Sequence, residues 1–390
     1  MDEADWWLWR LCGRETIGDI SELVAERFPH LGRSQRAAIE RAGAKFSAFD
    51  GMVAEAGADH DPTKPDGRIL SASSLEMIGR CPLAWFFHYV LRIEPPEELV
   101  VDSTRWLDPL AFGLLLHEVF RHFMTDLRKK NLLPKVSRDE GKLTKILDQQ
   151  IAKYRELYPP PSQSVFRAQC QQLYEAARIF LVGEEEFCRQ SRPEYLEASL
   201  GMTTEEEESL LDDPDPISVA LPDGRKFRAR GRIDRVDRIG DDSSWTFSIW
   251  DYKTGSIYKK YRDADPFARG RLVQHALYLA MADSVLKRKV NRKAVVKQAG
   301  YYFPTIRGQG ERIVKTREQL AGAGEVMGHL CQIVANGAFL ATNDPEEDCG
   351  YCNYTLICHD LNATAAASQL KLDDGKNKSL KPIRELRADG

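Results

Sequence analysis

Residues 217–255, "ISVALPDGRKFRARGRIDRVDRIGDDSSWTFSIWDYKTG", alternate apolar and polar side chains with period two, broken by "PDG" and "GDDSS" turns. That alternation requires strands, read here as an antiparallel meander. The residues before it have helical spacing instead. Helices are expected over "SASSLEMIGRCPLAWFFHYVL", 110–130, 141–158 and 166–190. The first opens on capping Ser residues, with a Glu placed for a capping box. A helix at 268–286, a strand at 298–306 and a helix at 315–336 follow. Helices, then strands, then mixed elements predict an α/β fold in which a sheet carries helices against it.

The rest of the chain divides around this core. Residues 1–60, with "IGDISELVAERF" and "GRSQRAAIERAGAKFSAF", read as a helical N-terminal extension. "GADHDPTKPDGR" (57–68) has the composition of a linker, and "TTEEEESLLDDPDP" (203–216) that of a solvated acidic loop. The domain is expected over 70–360, and the polar, Lys-rich residues 361–390 as a loosely held tail.

Net charge is −4 and pI about 6.1, which excludes a global basic field; basic surface must be local, as at 286–297 or 258–262. No apolar run approaches the roughly 20 residues of a membrane span. "MDEADWWLWR" lacks the order of a signal peptide, so the cytoplasm is the expected compartment and no membrane partner is expected. Eight cysteines in such a chain point to buried thiols or metal ligands rather than disulfides.

The strand run ends in "SIWDYKTGS" (248–256). Asp251 and Lys253 project from one face there. Such pairs are common on strand faces, where an exposed one contributes about 0–1 kcal/mol. Asp234, in "GRIDRVD" one strand earlier, changes the balance. Two carboxylates on adjacent strands raise a pKa by repulsion unless a hard cation such as Mg²⁺ lies between them. Lys253 could then orient an attacking water or stabilise phosphoryl charge. His117, in "GLLLHEVFRHF", is available as a further ligand, which makes Mn²⁺ as suitable as Mg²⁺. A zinc-protease reading of that string fails, because His122 lies roughly 140° round the helix from His117. Gln274 and Tyr278, in "QHALYLA", share a helical face.

"CGYCNYTLIC" places Cys349, Cys352 and Cys358 within ten residues, a metal-site pattern. The fourth ligand could come from Cys12, Cys81, Cys170, Cys188, Cys331 or His359. Cys81, before Pro82 in an aromatic segment, has the best surroundings. Spacing alone does not separate a 4Fe–4S cluster from Zn²⁺.

Six motifs appear in order: "SASSLEMIGRCPLAWFF", "GLLLH", "GRID", "DYKTG", "QHALY" and "CGYCNYTLIC". With them the chain resembles the PD-(D/E)XK nucleases of the RecB type, and most closely the C-terminal nuclease domain of AddB-like helicase–nuclease subunits. The resemblance covers residues 71–358. It implies a restriction-endonuclease-like core with an iron–sulfur staple, the 4Fe–4S cluster held by Cys81, Cys349, Cys352 and Cys358. It implies His117, Asp234 and Asp251 as ligands of Mg²⁺ or Mn²⁺, and Lys253 as the catalytic lysine. Gln274 and Tyr278 would support the site and DNA, and Glu197 in "EYLEASLG" looks like the acidic residue that precedes the meander in this family.

The expected activity is metal-dependent cleavage of DNA, on single-stranded ends, in repair or recombination. Alternatives are a CRISPR-associated RecB-like nuclease and a non-catalytic DNA-binding subunit. No G-x-x-x-x-G-K-[ST] loop occurs, so ATP-driven unwinding would need a helicase partner. The chain is then a stand-alone nuclease, a subunit, or an excerpt of a longer protein, and its oligomeric state is open.

Overall fold

In a computed structural model of the protein, residues 27–95, 102–204, 209–240 and 244–388 are described, with isolated positions before residue 27. Most of "IGDISELVAERF", Cys12 and part of the acidic 203–216 segment lie outside the described residues. Ten helices of seven residues or more stand among those described: α1 Pro29–Ala42, α2 Ala54–His60, α3 Ala72–Arg80, α4 Pro109–Lys129, α5 Val136–Leu157, α6 Gln163–Phe187, α7 Gln274–Lys289, α8 Ala323–Ala335, α9 Leu361–Asp373 and α10 Lys381–Ala388. None of the described helices is long and apolar enough to cross a membrane.

The strands are β1 Ser191–Leu200, β2 Ile217–Ala220, β3 Lys226–Ala229, β4 Gly231–Ile239, β5 Thr246–Tyr252, β6 Val295–Phe303 and β7 Glu311–Thr316. Five of them form one sheet in the order β1-β4-β5-β6-β7, and β2 with β3 forms a separate pair. β5 and β6 run parallel, joined through α7 as a parallel connection requires. The other ladders of the large sheet are antiparallel. This is a mixed α/β sheet flanked by helices, as expected.

The single meander expected over 217–255 is corrected. After β3 the Arg230 N–H donates to the Leu70 carbonyl at 2.9 Å, and the chain leaves that hairpin to pair β4 with β1. β1 was not expected as a strand, since Pro193 interrupts its pattern. It lies at the sheet edge with a register shift between Pro193 and Tyr195, where proline is tolerated. The helix expected from 315 begins at Ala323, because Glu311–Thr316 forms β7 instead.

Two apolar clusters cover the sheet's faces. Phe120 of α4, Phe180 of α6, Trp250 and Tyr252 pack on one side. Ile249, Phe247, and Leu277 and Met281 of α7 pack on the other, with Leu330 of α8. α7 buries residues on nearly all sides, as a helix held between layers must.

The segment after 360 is not loosely held. Lys371 of α9 is 1% exposed, paired with Asp50 at 3.2 Å and donating to the Arg41 carbonyl at 2.7 Å. Leu380, Ile383 and Leu386 are buried in the main core. A polar composition hid these helices, because their anchors lie more than 300 positions away. Likewise the start of the expected 57–68 linker is the end of α2, and Leu70 just beyond it bridges to Ala229 of β3.

Candidate active site

The β4 ladders set the site. Arg235 pairs with Trp250, so one step further Asp234 falls opposite Asp251. On its other side, Leu196 pairs with Arg235 and Ala198 with Ile233, which puts Glu197 opposite Asp234. Three carboxylates therefore lie in a row across three neighbouring strands, where like charges repel. Burial and the Asp251 charge push the Asp234 carboxyl up to about 6, against the opposing pull of His117, the Tyr252 N–H and Lys253.

His117 reaches this row from α4. Asp108 caps that helix, accepting from Ala111 N–H at 2.8 Å, with Pro109 in its first turn. His117 Nε2 lies 3.0 Å from the Tyr252 carbonyl, which can only accept. That contact puts the proton on Nε2 and leaves the Nδ1 lone pair 3.6 Å from Asp234 Oδ2. His117, Glu197 and Asp234 each offer a ligand atom within 4.8 Å of the other two. Glu197 has a φ of +50°, a left-handed conformation costing about 1–2 kcal/mol for a non-glycine residue. Strain of this kind collects at functional sites.

Asp251 turns toward α7 instead. Gln274 Nε2 donates to Asp251 Oδ1 at 2.6 Å, and Lys253 Nζ donates to Gln274 Oε1 at 2.9 Å. Lys253 Nζ is also 2.6 Å from Asp251 Oδ2, closing a triangle. Burial alone would push the Lys253 ammonium down, but Asp251, Tyr261 and Asp234 outweigh it and hold it above its ordinary value. The expected ligand set was His117, Asp234 and Asp251. The compact group here has Glu197 in place of Asp251, which neighbours it.

Glu76 belongs to the site's support without any sequence signal for that role. It does not close a capping box: Ser71 caps α3, accepting from Ser74 N–H at 3.2 Å. Glu76 Oε1 instead accepts from Val273 N–H at 3.0 Å and Gln274 N–H at 3.1 Å, capping α7 from a distant segment. Glu76→Ala should lower stability by about 1 kcal/mol, read by thermal melting. If Gln274 depends on this cap for its position, cleavage should also fall about tenfold in a steady-state assay.

A cavity of about 680 Å³ opens beside the turn after β5, lined by Thr254, Gly255, Arg105 and Arg307. The acid row, with a charged lysine and a histidine beside it, can hold a cation and act on an anionic ester. The model of the PD-(D/E)XK nuclease superfamily matches residues 69–359. The chain belongs to that superfamily.

Relatives of this chain include proteins whose names make them subunits of an ATP-dependent helicase/deoxyribonuclease. The one from Symbiobacterium thermophilum is 28% identical over 220 residues, covering 55% of this chain and 17% of the relative. That from Clostridium perfringens is 27% identical over 216 residues, 54% and 17%. That from Clostridium botulinum is 23% identical over 235 residues, 59% and 19%. The chain thus spans under a fifth of the length of these curated relatives.

Two of the motif glycines have a steric role in this superfamily member. A Cβ on Gly113 would come within 2.9 Å of Thr254 Oγ1, so "GLLLH" lets α4 lie against the "DYKTG" turn and bring His117, one turn on, to the row. A Cβ on Gly231 would come within 2.6 Å of Tyr278 Cε1. The glycine of "GRID" and the tyrosine of "QHALY" are therefore two halves of one contact. Tyr278 is buried, and burial and Asp251 push its hydroxyl up to about 12.

The break between α3 and the helical turn Pro82–Trp85 falls at Cys81. Cys81 lines one small cavity together with Cys349, Cys352 and Cys358. Burial pushes the Cys81 thiol up to about 12 and Cys349 up to about 11, with neighbouring cysteines adding to both. Of the other candidate fourth ligands, Cys170 packs on the α4–α6 side, and Cys188 at the C-terminal cap of α6 contacts Glu184. Cys331 is buried in α8. His359 is absent from the cavity lining.

Proposed function

We propose that the chain is a metal-dependent deoxyribonuclease acting on single-stranded DNA ends, in a helicase–nuclease assembly like those its relatives' names describe and serving repair or recombination. The observation that carries this reading is the row Glu197–Asp234–Asp251 with His117 at one side and Lys253 at the other. The donor set fits a hard divalent ion: carboxylates and one imidazole, with a proton affinity at Asp234 raised by burial and the neighbouring Asp251 charge. In this reading His117, Glu197, Asp234 and Asp251 hold Mg²⁺ or Mn²⁺.

Bound there, such an ion would supply Lewis acidity toward a phosphate oxygen and activation of water. The chain's own residues do the rest. Lys253, kept charged by Asp251 and held by Gln274, sits where it can place the attacking water and neutralise charge on the phosphoryl oxygens. The Tyr252 carbonyl keeps His117 in the tautomer whose Nδ1 can ligate. Tyr278 and Glu76 act at one remove, by fixing α7.

The four converging thiols suit a 4Fe–4S cluster, with Zn²⁺ the alternative. On this reading the nuclease domain spans 70–360, with 1–60 as its helical extension, the helices after 360 packed into its core and the cluster as its staple. The activity is tested with end-labelled single-stranded DNA, linear and circular, in Mn²⁺. The account expects linear DNA to be degraded and circular DNA to persist. Equal loss of both would contradict action at ends, and persistence of both would contradict the nuclease.

A further inference from the structure

Helix α4 exposes one stripe beyond what its role in holding His117 requires. Residues 110, 114, 117, 121 and 128 fall within about 60° of one another at 100° per residue. Leu110 is 72% exposed and Leu114 52%, large apolar side chains left in water on the face that carries His117. At the other end the stripe continues as Arg121 and Arg128. Those two arginines line a cavity of about 450 Å³ shared with Glu197 of the carboxylate row. The stripe is therefore apolar on one side of the site, basic on the other, and continuous with the acids through Glu197.

We propose that this stripe is a track for a single DNA strand, lying along α4 with the scissile phosphate at His117. Leu110 and Leu114 contact unpaired bases, and Arg121 and Arg128 contact backbone phosphates. A polyanion is selected by charge at the arginine end. An unpaired strand is selected at the leucine end, because a duplex keeps its base faces stacked inside. The stripe is ~27 Å long at 1.5 Å per residue, which matches about eight nucleotides at stacked spacing. The proposal rests on the nuclease reading for the identity of the polymer, and its test is independent of cleavage.

The test is equilibrium binding of labelled oligo-dT to the whole chain in EDTA, across a salt series. Affinity should rise with length to about eight nucleotides and then level off. L110S/L114S should weaken dT20 binding about tenfold and leave the salt dependence unchanged. R121A/R128A should also weaken it and flatten the slope of log K against log salt by about 1.4, and R121K/R128K should restore the slope. R292A/K293A, at the turn before β6 and so at the opposite end of the sheet, should bind like the parent chain. A blunt duplex should bind at least tenfold more weakly than dT20. If either stripe pair leaves dT20 affinity within twofold of the parent, or the duplex binds equally well, the track is wrong. Normal oligo-dT behaviour without any Mn²⁺-dependent cleavage would instead overturn the nuclease and leave the track standing.

Discussion

Asp234→Asn should abolish metal-dependent cleavage, by at least about 10³-fold, while making the metal-free protein more stable. Both effects come from the same carboxylate. It lies between Glu197 and Asp251 in the row, and burial and the Asp251 charge raise its pKa to about 6. A folded-state value above the unfolded one means that the native protein binds the extra proton. The stability it contributes is complete below about pH 4 and is lost as pH rises through about 6. At pH 7.5 the charged form is a liability of at most about 3 kcal/mol. Asparagine removes that charge and can still accept from Tyr252 N–H, which now donates to Asp234 Oδ2 at 2.8 Å. The melting temperature without metal should therefore rise by a few degrees at pH 7.5 and change little at pH 4. Added Mn²⁺ should stabilise the parent chain and not the variant. Cleavage by the parent should decline below about pH 6, where protons compete for the same oxygens. A variant that melts lower than the parent at pH 7.5 would show that the row is not electrostatically strained.

If the four thiols hold a cluster as proposed, Cys352→Ser should cost the domain its staple. Cys81 and the 349–358 segment meet at one cavity from opposite ends of the domain. A cluster bound there would tie together segments more than 260 positions apart, and a crosslink closing so long a loop is worth about 4–5 kcal/mol. The variant should melt roughly 10 °C lower and lose absorbance near 400 nm if the parent is brown. Cys331→Ser, changing a thiol buried in α8 away from that cavity, should keep the colour. A colourless parent with one bound zinc would replace the cluster with the alternative metal and keep the staple. A parent that binds neither, and a Cys352→Ser variant that melts with it, would remove the staple altogether.

Much of this site is legible in the sequence because its signals are local. Period two around "GRID" and "DYKTG" dictates strands, and an antiparallel turn between them brings Asp234 and Asp251 together. The three closing cysteines form a metal-site pattern by spacing alone, whereas the break at Cys81 divides a stretch that reads as one helix. What the sequence hides are pairings between distant segments. Glu76 looks like a partner for a nearby serine, yet it caps α7 nearly 200 positions on. β1 carries a proline, so its strand character depends on β4 lying beside it, and with it the placing of Glu197. The Arg235–Glu184–Asp237 ion cluster, fully buried behind the row, reads in sequence as ordinary surface charge. The C-terminal helices look solvated until Lys371 finds Asp50.

Cleavage of labelled single-stranded DNA by the chain in Mn²⁺, compared with the D251A/K253A double variant, tests the central claim most directly. The account predicts metal-dependent cleavage by the parent, none in EDTA, and none by a double variant that still melts cooperatively. Degradation that survives the double substitution would contradict it.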